Sequence, residues 1–212
     1  MMVVRKQSQM RDKVQESLIS FNGEYRNYCI GIVDIVNSTK IAAKMPPVSL
    51  GIYYSIFLNK MADIAVRFDA SVVKNIGDSL LFYFPSTVNS ADMKGFQNAI
   101  ECGLSMIESR CMINNIMFES RLPSISYRVS IDYGTVLIAV TLYDTVDIFG
   151  PPVNVCAKIN REAHPNGMVI GGDMFQMVKA ISSYQFKQIC SFSSGLKSSY
   201  PVYSILRRNA LH

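Results

Sequence analysis

Tryptophan is absent, histidine occurs only as His164 and His212, and the five cysteines are odd in number with no C-x-x-C pair among them. A zinc site therefore has almost no ligands to draw on. Cys29, Cys102, Cys111, Cys156 and Cys190 read instead as small buried hydrophobes of a reducing compartment. No apolar run approaches the ~18 residues that a membrane helix needs, the longest lying at about Thr135–Tyr143. The first residues, Met1 to Gln7, lack the apolar core of a signal peptide. A cytoplasmic protein with no membrane span is expected. Charge is sparse as well, at 17% of residues, and the net +5 is unclustered, which makes no case for a nucleic-acid partner. Internal repeats and low-complexity tracts are missing. What remains is an ordinary globular composition, 49% hydrophobic over 212 residues, enough for one substantial core.

Residues 1–26 read as a helical extension or linker, because Met10, Val14 and Leu18 recur at four-residue spacing. That pattern fits a cap on the domain, a helix pairing with a second copy, or a frayed end. Tyr28–Val36 is apolar almost without alternation up to Asp34, the mark of a strand buried on both faces. After Pro46-Pro47, apolar residues at Leu50, Tyr53, Tyr54, Phe57, Leu58, Met61, Ile64, Ala65 and Phe68 trace one helical face. Two β-rich runs, Ala70–Ile76 and Ser79–Phe84, flank Gly77-Asp78 and predict a hairpin with Asp78 at its tip. A second helical face spans Ala91 to about Ile113, and Ser126–Tyr133 and Thr135–Tyr143 read as two strands joined at Gly134. The order is that of an α+β fold with a ferredoxin-like βαββαβ core. Additional C-terminal elements follow: Val146–Gly150, a helix over about Pro152–Ala163, a strand at Met168–Ile170, and strands near Gln185–Phe192 and Tyr200–Leu206. The domain is placed at 27–207, with 208–212 as a tail.

Asp34 at a strand exit and Asp78 on a hairpin tip could bracket a hard divalent ion, since magnesium usually binds through one or two carboxylates plus substrate phosphates. Aspartates are also abundant at strand ends and turns for purely structural reasons, so position alone does not distinguish the two readings.

Four segments in order do distinguish them. Gly31-Ile32-Val33-Asp34-Ile35-Val36-Asn37-Ser38-Thr39, Val72-Val73-Lys74-Asn75-Ile76-Gly77-Asp78, Val146-Asp147-Ile148-Phe149-Gly150 running on through Val153-Asn154 to Lys158, and Gly195-Leu196-Lys197 resemble the class III nucleotidyl cyclases, the adenylate and guanylate cyclase catalytic domains. The resemblance covers about Tyr28 to Leu206. It implies the nucleotide cyclase fold, with Asp34, Asp78 and the Ile35 carbonyl as ligands for two divalent ions, Mg or Mn. It implies that Lys74 and Asp147 select the base, that Asn154 orients the ribose, and that Lys197 contacts the triphosphate. It also implies a head-to-tail homodimer, each site drawing its metal aspartates from one protomer and its base-selecting and charge-stabilising residues from the other.

A donor-only lysine and an acceptor-only aspartate complement adenine, which offers an acceptor at N1 and a donor at N6, whereas guanine reverses the pattern. ATP is the expected substrate, and conversion to 3′,5′-cyclic AMP and pyrophosphate the expected reaction. A guanylate-specific enzyme is disfavoured by Lys74 and Asp147. A diguanylate cyclase is disfavoured because the hairpin lacks a Gly-Gly-acidic-acidic-Phe turn. The departure is Lys158, where the family usually has arginine. Lysine keeps the charge and loses the planar fork of donors. Arg161, at i+3 from Lys158, is a candidate substitute. The alternative is a catalytically weak or inactive homologue that binds nucleotide as a regulatory module.

Overall fold

A computed structural model describes residues 19–141, 146–192 and 199–208. The proposed N-terminal helix around Met10, Val14 and Leu18 falls outside the described residues, as does Lys197. Strand β1 runs Ile19–Ile35, so residues 19–26, expected to belong to a helical extension ahead of a domain starting at 27, are instead strand, paired with the far end of β4. From Cys29 to Val33 it is buried on both sides: Cys29, Val33 and Ile35 enter the main core, while Ile30 and Ile32 face a second cluster with Leu81, Val136, Ile148 and Cys156. This period of two follows from the alternation of side chains along an extended chain.

A short helix α1 (Ser38–Ala42) and a long helix α2 (Pro47–Arg67) follow. Pro47 sits at the first turn of α2, where its missing N–H would be unpaired in any case. The expected apolar stripe is the buried one, through Tyr53, Phe57, Met61, Ile64 and Ala65. Each large side chain among them contributes about 1.5–3 kcal/mol of transfer free energy. The hairpin is formed by β2 (Ser71–Ile76) and β3 (Ser79–Phe84), with β3 antiparallel to β1.

Two sequence expectations are corrected here. The single helical face over Ala91–Ile113 is two helices, α3 (Met93–Glu108) and α4 (Arg110–Glu119). They part at Ser109, whose hydroxyl donates to the Met106 carbonyl at 2.7 Å, a back-bond that competes with helix continuation. The two strands expected around Gly134 are one, β4 (Tyr127–Thr141). Gly134 marks a close approach and not a turn, since a Cβ there would lie 2.8 Å from Pro152 Cγ.

Strand β5 (Val146–Phe149) pairs with the far end of β4, and helix α5 (Pro151–Ile159) continues into a 3₁₀ turn over Asn160–Glu162. Strand β6 (Met168–Gly171) runs parallel to β4, followed by a helix the sequence reading missed, α6 (Gly172–Val178), and by β7 (Tyr184–Phe192) and β8 (Tyr200–Arg207). The sheet order β2-β3-β1-β4-β6-β8-β7 places β1 between β3 and β4, as the split βαββαβ order requires, and adds the C-terminal strands beyond β4. The exits of β1 and of the β2–β3 hairpin are thereby neighbours.

One buried carboxylate lies away from that end of the sheet. Asp132 on β4 is 1% exposed and accepts hydrogen bonds from the Tyr200 hydroxyl and, at 3.4 Å, from the Met174 amide. Burial pushes its pKa from 3.8 up to about 7, against the lowering effect of those donors. The folded state therefore binds this proton more tightly than the unfolded chain. The stability it contributes is fully present below about pH 4 and is lost as pH rises through about 7. The difference amounts to on the order of 4 kcal/mol. Denaturant titrations from pH 4 to pH 8 should show this decline in the wild type and a flatter profile in Asp132→Asn.

Candidate active site

Asp34 sits at the last turn of the pleat in β1, half-buried, with Arg128 opposite it on β4 and the β3 strand on its other side. The Ser79 hydroxyl donates to Asp34 Oδ1. The hairpin turn that delivers Asp78 depends on Gly77, whose φ of +63° suits the first position of a two-residue turn. No atom lies within 4 Å of a Cβ built there, so backbone conformation and not crowding calls for glycine. Asp78 Oδ2 is buried without a hydrogen-bond partner.

Burial raises the Asp34 pKa, and the neighbouring Asp78 raises it further, while the Ser79 hydroxyl and the Arg128 and Arg161 guanidinium groups pull it down. Two crowded carboxylates, one with an orphaned oxygen, are a donor set that a divalent cation satisfies. Among the described residues no group of three or more His, Cys, Asp or Glu gathers to complete a coordination shell. This fits an ion that takes its remaining oxygens from a substrate and from water. The Ile35 side chain is 2% exposed in the core, so its only contribution to such a shell is its backbone carbonyl.

A cavity of about 180 Å³ opens beside Asp34, lined also by Ser79, Asn160 and Arg161. Asn160 was not singled out from the sequence. It is 3% exposed, and its amide nitrogen is directed at the Ile32 carbonyl, the Arg128 carbonyl and Ser130 Oγ, clamping β1 to β4 behind the aspartate. Its Oδ1 is unpartnered. Three acceptors around the nitrogen fix the amide orientation.

The second cluster joins residues far apart in the chain. Lys74 on β2 forms an ion pair with Asp147 Oδ2 on β5, and the Lys74 ammonium stands 5.7 Å from the centroid of the Phe149 ring. Asp147 Oδ1 accepts from the Ile148 amide at 2.8 Å, which fixes the carboxylate plane. On α5, Asn154 and Lys158 are four residues apart on one exposed face, without side-chain hydrogen bonds or ion pairs among the described residues. Arg161, one turn further, lines the Asp34 cavity, which Lys158 does not. The structure thus brings together Asp34 with Asp78 and, separately, Lys74 with Asp147. Ser79, Arg128 and Asn160 are the neighbours that sequence reasoning missed. Ser79 alone had a signal, as the residue that follows the turn aspartate.

A model of the adenylate and guanylate cyclase catalytic domain matches residues 22–199. The chain belongs to this cyclase family. The domain is 25% identical over 145 residues to an adenylate cyclase of Streptomyces coelicolor, a match covering 68% of this chain and 32% of that protein. The chain spans only 17% to 32% of the length of the adenylate cyclases it matches in sequence. Among solved structures, the cyclase domain superposes on the adenylyl cyclase CyaB from P. aeruginosa with a TM-score of 0.78 at 15% identity, covering 88% of this chain and 96% of that one. It superposes on the guanylate cyclase domain of RhGC from Catenaria anguillulae, solved in complex with GTP, with a TM-score of 0.75 at 19% identity, covering 88% and 100%. At such identities these likenesses show the fold. No helix among the described residues is long and apolar enough to cross a membrane.

Proposed function

We propose that this cyclase domain is an adenylate cyclase, converting ATP to 3′,5′-cyclic AMP and pyrophosphate at the interface of a head-to-tail homodimer in the cytoplasm. The observation that carries the choice of base is the Lys74–Asp147 pair. Lysine offers only donors and the carboxylate only acceptors, so side by side they form an edge complementary to adenine N1 and N6. Their side chains remain 44% and 20% exposed, and an ion pair of that exposure is worth ~0–1 kcal/mol. It therefore opens readily for the base. The Phe149 ring beside Lys74 gives the base an apolar neighbour.

Asp34 and Asp78, with the Ile35 carbonyl, would hold two divalent ions, Mg or Mn. Bound there, the ions supply Lewis-acid activation of the ribose 3′-hydroxyl and charge neutralisation on the phosphates. Ser79 holds the Asp34 carboxylate in place through its hydroxyl. From the partner protomer, Asn154 orients the ribose, and Lys158 and Lys197 meet the developing charge on the phosphates. Attack of the 3′-oxygen on the α-phosphorus forms the cyclic ester as the bond to the pyrophosphate oxygen breaks.

A second reading, nucleotide binding without turnover in a regulatory role, is favoured by Lys158, whose point charge replaces a planar fork of donors. One assay separates the two. Purified protein incubated with ATP or GTP and Mg or Mn should yield cyclic AMP from ATP in preference, and Lys74→Glu should lower kcat/KM for ATP by about tenfold or more, the loss of one charge-assisted bond. Binding of ATP with no cyclic product would establish the regulatory reading. An unchanged ATP preference in Lys74→Glu would show that the base is read elsewhere.

A further inference from the structure

A cavity of about 430 Å³ outside the candidate site lies between α1, the start of α2 and the segment that leaves α4. Its size is that of a small-molecule pocket. Ile41, Met45 and Leu122 give it apolar walls, and Lys40, Lys44 and Arg121 stand at it as three cations with no acidic residue in the lining. None of the three has an ion-pair partner among the described residues.

Arg121 is there at a conformational penalty. Helix α4 closes with the Leu122 amide bonded to the Met117 carbonyl at 2.8 Å and the Arg121 amide bonded to the Phe118 carbonyl at 2.9 Å, a Schellman closure. Arg121 occupies its left-handed position at φ +56°, where glycine is the favoured residue. Strain at one residue and three unpaired cations converge on one apolar cavity.

We infer that this cavity binds a small amphiphilic organic anion, one carboxylate or phosphate group carried on an apolar chain or ring. The anion would lie among Lys40, Lys44 and Arg121, and the apolar part against Ile41, Met45 and Leu122. The site shares no lining residue with the Asp34 cavity, so it does not depend on the cyclase reading.

The test uses the full chain and thermal unfolding, with binding followed by NMR titration. Decanoate or octyl phosphate should bind at least tenfold more tightly than decanol, which lacks the charge, and than acetate or inorganic phosphate, which lack the chain. Which of the two amphiphiles binds better identifies the headgroup. Lys40→Glu with Lys44→Glu, both exposed, should weaken binding by tenfold or more while leaving the unliganded melting temperature within a few degrees. Arg121→Gly should raise that temperature by relieving the left-handed arginine and at the same time weaken binding. Equal affinity for decanol, equal affinity for acetate or phosphate, no saturable binding, or wild-type affinity in the charge-reversed variant would each overturn the inference.

Discussion

Replacing Asp34 or Asp78 by asparagine is expected to lower metal-dependent cyclisation by on the order of a thousandfold, about 4 kcal/mol of transition-state stabilisation. Asparagine keeps the shape and removes the charge that, on the proposed reading, would hold a divalent ion. The fold should survive the change. In the unliganded protein the Asp34 pKa is raised, mainly by burial and secondarily by Asp78. Ionising Asp34 therefore weighs against folding, progressively as pH rises through the raised value. A neutral side chain removes that burden, so Asp34→Asn should be at least as stable as the wild type at pH 8. Pyrophosphate release measures the loss of turnover, and manganese binding followed by electron paramagnetic resonance measures the loss of the ion directly. Activity within tenfold of wild type in both purified variants would remove the two aspartates from the mechanism. Loss of activity with undiminished manganese binding would assign them a different role.

The parts of the fold that were legible in sequence are those where one periodicity dominates. The unbroken apolar run before Asp34 announced a strand buried on both faces, and the stripe from Tyr53 to Ala65 announced α2. Errors arose where a single residue carries two meanings. Gly134 reads as a turn, yet it lies mid-strand because Pro152 leaves no room for a side chain, a contact between residues distant in sequence. Ser109 reads as an ordinary helix surface residue until its hydroxyl finds the Met106 carbonyl. The site shows the same division. Lys74 and Asp147 pair in the sequence only through the resemblance carried by the four segments, because residues 73 positions apart carry no local mark of their contact. Asn160 carried no signal. Its function as a clamp exists only once β1 and β4 are paired, and a buried amide with three acceptors at its nitrogen is a product of tertiary structure.

Mixing two variants that are each inactive should restore about a quarter of wild-type activity, provided subunits exchange freely. In a head-to-tail dimer with twofold symmetry, each site combines the aspartates of one protomer with the base and ribose residues of the other. Asp34→Asn therefore disables both sites of its own homodimer, and so does the pair Asn154→Ala with Lys158→Ala. A mixed dimer places both defects in one site and leaves the other intact. Half of randomly paired dimers are mixed, and each carries one working site of two. The geometry is compatible with the proposed division: Asn154 and Lys158 extend from the exposed face of α5 without partners among the described residues, whereas Asp34 lies in a cavity lined by Arg161 and by neither of them. On the proposed reading, one protomer contributes half of each of two sites. Co-expression of differently tagged variants, with tandem purification of the mixed dimer, removes slow exchange as an explanation of a negative result. A purified mixed dimer without activity would then exclude the shared site, and activity in a dilute monomeric fraction would do the same.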